Sequence, residues 1–250
     1  MVVILVIASV ALSQLAGVAI AAETLPPYIS QCRWSDPKVT ECFVHAMMHI
    51  RPWLAQGIPE INLPAAEPFR LNELSLSLTT GPNGYRVHLR DIDLYGASNF
   101  SVSRLRLGEN GGPFDLQIRI PSLRIKADYT SSGVLIIIPA SGKGSFSALL
   151  GGVNAVVRGT VSTAPRDGKD YMRVEKLNVD LKIKDVNMGI KRAFNNNAIL
   201  TEATNLFLRS NGHEVLEAMM PQLRLKIAEV FMGLANSLLA KVPVQYLVRD

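Results

Sequence analysis

The sequence has only two cysteines, Cys32 and Cys42, with nine residues between them. A structural zinc site needs four ligands at close spacing, so these two thiols cannot build one. A redox couple usually has two residues between its cysteines, which argues against that class as well. The remaining interpretation is a disulfide, and thiols persist in that form in oxidising compartments.

Motifs that carry catalysis or bind phosphate are also missing. The stretch 96–100 lacks the second glycine of a Gly-x-Ser-x-Gly nucleophile turn, and 142–145 lacks two defining residues of a phosphate-binding loop. His45 and His49 lie one helical turn apart, but a zinc peptidase needs Glu where Ala46 stands. A solvated helix face is the simpler interpretation, so we expect no enzyme, no metal and no cofactor.

The N-terminus has no charged residue before Glu23 and is nearly all apolar up to Val10. Small residues at Ala19 and Ala21 fit signal-peptidase cleavage after Ala21. This predicts a signal peptide at 1–21, one domain at 22–250, and a secreted, extracellular protein. A membrane anchor is the alternative, since a span takes ~20 apolar residues. Secretion also fits the Asn99-Phe100-Ser101 triplet, which makes Asn99 a candidate glycosylation site.

Charge is sparse and mildly basic, with 19% charged residues and a formal net charge of +5. Nucleic-acid-binding proteins show clustered basic runs, whereas Lys and Arg are scattered singly here. We therefore expect no nucleic-acid partner. The charge favours solubility and a weak attraction to anionic surfaces.

Hydrophobic periodicity divides the chain into a helix, a long β region and a helical end. Asp36-Pro37 predicts a helix start, and Pro52 and Gly57 predict its end. From Leu71 to Val186 the alternation has period two and short turns separate the segments, which predicts one antiparallel sheet. The continuous apolar run Val134–Ile138 predicts a strand that is covered on both faces.

Two helices are predicted after the sheet, a short one around 199–207 and a long one over about 213–241, with a kink at Pro221. The long helix would span about 40 Å. Its broad apolar stripe needs an apolar partner along its whole length, and only the sheet is large enough. We therefore expect an α+β fold in which a strongly curved antiparallel sheet wraps the long C-terminal helix.

Short motifs follow one another along the chain in a characteristic order. They are Glu41-Cys42, Arg51-Pro52-Trp53-Leu54, Gly57-Ile58-Pro59-Glu60, Pro68-Phe69, Gly133-Val134-Leu135, Ile138-Pro139, Gly142-Lys143-Gly144, Asn205-Leu206-Phe207-Leu208 and Lys241-Val242-Pro243. Their order and spacing resemble the takeout / juvenile hormone-binding protein family of insects, and the cysteine gap fits the takeout branch better than the hormone-carrier branch. The resemblance implies a TULIP-type fold with an apolar tunnel, in a secreted, non-catalytic carrier of small hydrophobic molecules.

We expect the ligand, a terpenoid such as juvenile hormone, a fatty acid or a similar lipid, in a tunnel between the sheet and the long helix. Tyr129 is a candidate for orienting the ligand, because a phenol can hydrogen-bond from an apolar wall. The predicted lining residues are Met47, Ile118, Ile120, Tyr129, Ile136, Ile138, Val157, Met220, Leu223, Ile227, Phe231 and Leu234.

The alternative function is a membrane-surface or protein-interaction module with a filled core. In either case we expect a monomer, with transient contact to a membrane or a receptor.

Overall fold

The structure is a computed structural model that describes residues 27–61, 63–78, 84–108, 112–135, 138–194 and 197–249. The predicted signal peptide lies outside these residues. The strands are β1 (Cys32–Arg33), β2 (Phe69–Ser77), β3 (Arg86–Tyr95), β4 (Ser101–Leu107), β5 (Pro113–Ser132), β6 (Val134–Leu135), β7 (Ile138–Pro139), β8 (Gly142–Arg166), β9 (Lys169–Lys191) and β10 (Val248–Arg249). The helices are α1 (Val39–His49), α2 (Arg51–Gln56), α3 (Ala198–Leu239) and α4 (Val244–Leu247), with 3₁₀ turns at Pro59–Ile61 and Ala97–Asn99.

The main sheet is antiparallel, as the alternation predicted. Its strand order is β2-β3-β5-β8-β9, and β4 also pairs with β5. β3 pairs with the second half of β5, at Arg124–Ser132, and β4 with the first half, at Phe114–Arg119. The two strands therefore lie end to end along one edge of β5, and the sheet is wider on the β3 side because β2 adds a further strand there.

A break in the hydrogen-bond ladders crosses the sheet between these two halves. In the register of β5, β8 and β9, Pro121, Gly152 and Lys184 lie opposite one another, yet the ladder pairs run only on either side of them. Proline has no N–H to donate, and Gly152 has a φ of 57°, which glycine adopts without strain. We call this row of three residues the waist.

The C-terminal helix α3 (Ala198–Leu239) consists of two helices that meet at a kink at Asn211, which confirms the prediction of a short helix followed by a long one. Only Asn211 departs from helical geometry, with φ −122° and ψ 21°. Its side-chain Nδ2 donates to the Phe207 carbonyl at 3.0 Å, which satisfies that carbonyl across the irregular turn. Pro221 lies inside the helix without a non-helical residue beside it. At ~1.5 Å per residue, the helix is about 20 Å long before Asn211 and about 42 Å long after it.

Two asparagines clasp α3 to the edge strand β9. Asn205 accepts from the Ile190 N–H at 2.8 Å and donates to the Ile190 carbonyl at 3.1 Å. Asn236 does the same to Val174, at 2.8 and 3.0 Å. About 47 Å of helix and about 53 Å of strand separate the two contact points. Strand and helix therefore run antiparallel over closely matched lengths, and side-chain amides satisfy backbone groups that a further strand would otherwise pair.

The same helix also reaches the opposite edge of the sheet. Gln222 accepts from the Ser77 N–H on β2 at 2.7 Å and donates to the Ser77 hydroxyl at 3.2 Å. Five strands spaced ~4.8 Å apart would place the two edges about 19 Å apart if flat, which is too wide for one helix to bridge with its side chains. The sheet therefore curls around α3, which confirms the predicted fold class of a long helix wrapped by a curved antiparallel sheet.

The run Val134–Ile138 is not a strand covered on both faces, and that prediction is wrong. Val134 and Leu135 form β6, which pairs only with β7 in a separate two-stranded sheet. Leu135 is buried, but Val134 is exposed. Of the two side chains of this run that the structure describes, one is therefore buried and the other is exposed.

The predicted disulfide between Cys32 and Cys42 is present. It joins β1 to α1, and β1 pairs in parallel with β10, so the N-terminal segment is held beside the C-terminus. The helical segment breaks at Ile50, where α2 begins with Pro52 in its first turn. Gly57 ends it with a φ of 84°, as its position predicted.

Candidate ligand-binding cavity

A cavity of about 240 Å³ lies between α3 and the inner face of the sheet. A water molecule needs only ~10–15 Å³ of such volume, so the space is many times larger than a packing defect. It is lined by Leu71, Leu74, Leu76, Tyr85, Val87, Leu89, Ile92, Leu94, Ile125, Tyr129, Ser131, Leu135, Ala140, Phe146, Ala148, Leu150, Met188, Ile190, Phe194, Thr204, Leu208, Val215, Leu216, Met219, Leu223 and Ile227.

The residues of the three long strands that line the cavity all lie on the same side of the waist. β5 contributes residues after Pro121, β8 contributes residues before Gly152, and β9 contributes residues after Lys184. This is the half of the sheet that β2 and β3 extend. Both edge strands of the sheet, β2 and β9, therefore contribute to the cavity wall, and α3 lies between them.

Four hydroxyl-bearing side chains interrupt the apolar lining: Tyr85, Tyr129, Ser131 and Thr204. The Ser131 hydroxyl donates to the Ala140 carbonyl at 2.6 Å, so it is already engaged. Burial, together with a smaller contribution from the charge of neighbouring Tyr85, raises the pKa of the Tyr129 phenol to about 12. Burial also raises the pKa of Tyr85, although a hydrogen bond with Ser131 partly offsets this. Both phenols are therefore neutral at physiological pH and able to donate a hydrogen bond.

None of the side chains that line the cavity carries a charge at neutral pH. Burying an ionised group without a partner is strongly unfavourable. The cavity as built therefore favours molecules that are apolar along most of their length, with at most a neutral polar group inside.

Three of the predicted lining residues contact the cavity, namely Tyr129, Leu223 and Ile227. Met220 is buried in the adjoining core, and Ile120 and Val157 pack against that core, but these three do not line the space. Ile120 and Val157 lie beyond the waist, where the cavity does not extend.

The structure does not bring the other predicted residues to the cavity. Phe231 follows Ile227 by one helical turn but is 51% exposed. Leu234, further along α3, and Ile118, on the far side of the waist, are half-buried without lining the space, and Met47 is half-buried on α1. Ile136 lies outside the described residues, and for Ile138 only the backbone is described, within β7.

Sequence reasoning missed the part of the wall that comes from β2 and β3, which contribute as many lining residues as α3. Leu74, Leu76, Val87 and Leu89 all alternate with polar neighbours and were recognised as strand residues. Their pattern is the same as that of Ile118 and Ile120, which pack elsewhere. The two groups of residues differ in strand order and not in sequence pattern. The cavity forms in the half of the sheet that has enough strands to close around the helix.

Asn99, the candidate glycosylation site, is exposed on the 3₁₀ turn between β3 and β4. Arg51 Nη2 donates to its Oδ1 at 2.9 Å, and Arg51 Nε donates to the Ser98 carbonyl at 3.0 Å. The Glu67 carboxylate accepts from the Gly96 and Ser98 N–H groups at 2.7 and 2.8 Å. Burial alone would raise the pKa of Glu67, but these hydrogen bonds lower it overall. The turn is therefore held in a fixed conformation.

Two further features bear on possible functions. Within the ranges that the structure describes, no three His, Cys, Asp or Glu side chains are arranged to hold a metal ion. His49 instead contacts the Pro27 carbonyl through Nε2 at 2.9 Å. Among the helices of those same ranges, none combines the length and the apolar character needed to cross a bilayer.

Comparison with known proteins places the chain in a defined group. Residues 3–249 match the model of the haemolymph juvenile hormone binding protein family. The chain is 24% identical over 233 residues to the circadian clock-controlled protein daywake of Drosophila melanogaster, an alignment that covers 89% of this chain and 88% of that protein. Daywake of Drosophila yakuba is 23% identical over the same length.

The fold also matches a solved structure, takeout 1 of Epiphyas postvittana. The TM-score is 0.78 at 20% sequence identity, and the match covers 89% of this chain and 100% of that one. At this level of identity the likeness establishes the shared architecture of helix and wrapped sheet.

Proposed function

The chain belongs to the haemolymph juvenile hormone binding protein family, and from this membership and the apolar cavity we propose that it is a secreted, non-catalytic carrier of one small hydrophobic molecule. The proposed ligand class comprises terpenoids, fatty acids and similar lipids. The observation that supports this most directly is the cavity beside α3, which is large, apolar and without a charged lining residue. Secretion, the signal peptide at 1–21 and glycosylation at Asn99 belong to the same proposal.

Affinity in such a cavity would come mainly from burial of apolar surface. At ~25 cal/mol per Å², a ligand that buries about 300 Å² of apolar surface gains roughly 7 kcal/mol before the costs of association. Met188 and Met219 give the wall adaptable side chains, which suits ligands of more than one shape. Specificity for length and branching would then be modest.

Orientation of the ligand would depend on the two phenols. Tyr129 is buried, lines the cavity and keeps its proton, so its hydroxyl is available to a carbonyl, ether or hydroxyl oxygen of the ligand. The alternative of an interaction module with a filled core is less well supported in this half of the molecule, because a space lies between the helix and the sheet.

Ligand binding can be tested with a blocking substitution and a matched control on the same helix. Leu223→Trp places an indole in the cavity, whereas Phe231→Trp places it on a half-exposed position one turn beyond Ile227. We expect a fluorescent fatty-acid probe to bind the delipidated wild type at one site. Leu223→Trp should weaken that binding by about tenfold or more, and Phe231→Trp should leave it unchanged.

Native mass spectrometry of the freshly secreted protein provides the independent measurement. A mass increment that organic extraction removes would identify a co-purifying lipid. The proposal fails if the secreted protein carries no lipid and the delipidated protein binds neither the fatty-acid probe nor a terpenoid competitor. Circular dichroism of both variants establishes that a loss of binding does not reflect unfolding.

A further inference from the structure

The start of α3 exposes aliphatic side chains next to the cavity. Ile199 is 82% exposed, Leu206 is 56% exposed and Leu200 is 49% exposed. Ile199 and Leu206 are seven residues apart and therefore lie on one face of the helix. We call these three residues the apolar tip. Exposed aliphatic side chains grouped within two helical turns are typical of a contact site for a membrane or another protein.

Three cations at the end of the sheet that precedes α3 have no carboxylate in an ion pair with them. Lys143, Lys191 and Arg192 are exposed, and among the described residues none of the three is in an ion pair. Lys191 lies opposite Ser145 in the sheet, and Arg192 Nη2 donates to the Ser145 hydroxyl at 2.6 Å. One carboxylate, Asp128, also lies opposite Ser145, on β5, so the three cations leave this end of the sheet with an excess of positive charge.

The first turn of α3 is held close to these cations. The Thr201 hydroxyl contacts the Ala193 carbonyl at 3.4 Å, and the Asn197 N–H donates to the Phe194 carbonyl at 3.1 Å. Because Lys191 and Arg192 directly precede these anchoring residues in the chain, the cations and the start of α3 lie at the same end of the sheet. The carboxylate in the first turns, Glu202, is already paired with Arg209.

We propose that this surface docks on an anionic lipid bilayer, with the apolar tip at the boundary of the acyl chains and the cations among the phosphate groups. Aliphatic side chains that enter the interface and cations that face anionic headgroups are the two contributions that hold peripheral helices on membranes. A second copy of the chain fits the surface less well. A two-fold interface would place the patch against itself and bring the six cations of two copies together.

Docking here would bring the cavity to the membrane. Thr204 and Leu208 lie one and two turns after Leu200 on the same helix face and line the cavity, as does Phe194. An apolar ligand would then pass between bilayer and cavity without crossing much water. This last step rests on the proposed carrier function, whereas the docking itself does not.

The test measures binding to lipid vesicles by flotation, with phosphatidylcholine alone and with about 30% phosphatidylserine added. We expect the wild-type protein to bind the anionic vesicles, and binding to fall as salt rises. Ile199→Ser combined with Leu200→Ser should lower the partition coefficient by about tenfold or more. Leu225→Ser is the matched control, since Leu225 is 65% exposed on the same helix and about 38 Å from Leu200, and it should change nothing.

Charge is tested separately with another matched pair. Lys191→Glu should reduce binding to anionic vesicles severalfold and leave binding to neutral vesicles unchanged. Lys182→Glu makes the same charge change about 30 Å away along β9 and should have a much smaller effect. The substituted positions are exposed, so circular dichroism should show an unchanged fold.

The proposal is overturned if wild type does not bind anionic vesicles, or if Leu225→Ser weakens binding as much as the change in the apolar tip. It is also overturned if sedimentation shows that the apolar tip holds two copies together and that vesicles do not compete for it. Vesicle binding and probe binding are separate measurements, so a negative result here leaves the carrier function standing.

Discussion

The two halves of the sheet on either side of the waist have the same alternating sequence pattern but pack differently against α3. In the half that contains β2 and β3, the inward side chains surround a cavity. In the half that contains β4, inward residues such as Ala155, Val157 and Leu177 pack against the core and do not line that space. The difference shows that apolar alternation determines which face of each strand turns towards α3. The number of strands in each half then determines whether that face packs directly on the helix or leaves a cavity.

Width differs because two strands extend the first half and one extends the second. β3 and β2 continue the sheet beyond β5, and Gln222 joins the outermost strand to the helix at Ser77. The waist separates the halves because Pro121 and Gly152 interrupt the ladders and allow the sheet to bend between them. His213 contacts the Lys184 carbonyl at 2.9 Å and so satisfies one group at the break.

The largest expected difference between the halves comes from two alanines on β8. Ala148 lines the cavity, and Ala155 packs against the core on the other side of the waist. Ala148→Phe fills existing space, so we expect little change in the free energy of unfolding and a loss of about tenfold or more in probe affinity. Ala155→Phe has no such space and should destabilise the protein by about 1–3 kcal/mol.

Denaturant unfolding and probe titration of both variants check this comparison. Ala148→Phe should lower probe affinity and leave the free energy of unfolding nearly unchanged. Ala155→Phe should lower the free energy of unfolding and leave the probe affinity of the folded protein unchanged. Equal destabilisation by the two substitutions would mean that the cavity is not retained in solution, and the distinction between the halves would then be lost.

Much of the architecture follows from the sequence because periodicity depends on burial alone. The antiparallel sheet, its curl and the long helix all follow from where the apolar residues recur. The division of the C-terminal region into two helices was also predicted, and the kink at Asn211 lies between the two predicted ranges. The side-chain hydrogen bond from Asn211 to the Phe207 carbonyl at that kink was not predicted, because it leaves no periodic signal.

The predicted lining and the cavity of the structure overlap only in part along α3. Leu223 and Ile227 line it, but the expected stripe continued to Phe231 and Leu234, which lie beyond its end. Helical spacing cannot reveal this limit, because it depends on where β2 and β3 stop. The polar clasps at Asn205 and Asn236 were also missed, since each pairs with a strand residue far away in the sequence.

The two asparagine clasps provide a smaller and more symmetric comparison. Asn205→Ala and Asn236→Ala each remove two hydrogen bonds to an edge-strand residue, one in each half, and each should cost about 1–2 kcal/mol of unfolding free energy. Only Asn205→Ala should also weaken probe binding, because Ile190 lines the cavity and Val174 does not. Asn178→Ala, at an exposed position on β9, should stay within about 0.5 kcal/mol of wild type. Loss of probe affinity in Asn236→Ala would contradict the separation of the halves.

The smallest expected effect is confined to alkaline pH and belongs to the cavity half. The folded-state pKa of Tyr129 is raised to about 12, from an ordinary value of 10.0, mainly by burial. Between these two values the unfolded chain releases a proton that the folded chain keeps, so stability from this group is complete below pH 10 and is lost as pH rises towards 12.

Tyr129→Phe should therefore make the free energy of unfolding less dependent on pH over that window, and it should remove a late phase from the phenolate absorbance of the folded protein. Tyr85→Phe is the companion variant, because a charge on Tyr85 contributes to the raised pKa of Tyr129. In Tyr85→Phe, the late phase of the phenolate absorbance that belongs to Tyr129 should shift to lower pH. If Tyr129→Phe keeps the late phase and the pH dependence of the wild type, the phenol is not held in an apolar wall, and its proposed role in orienting a ligand falls with it.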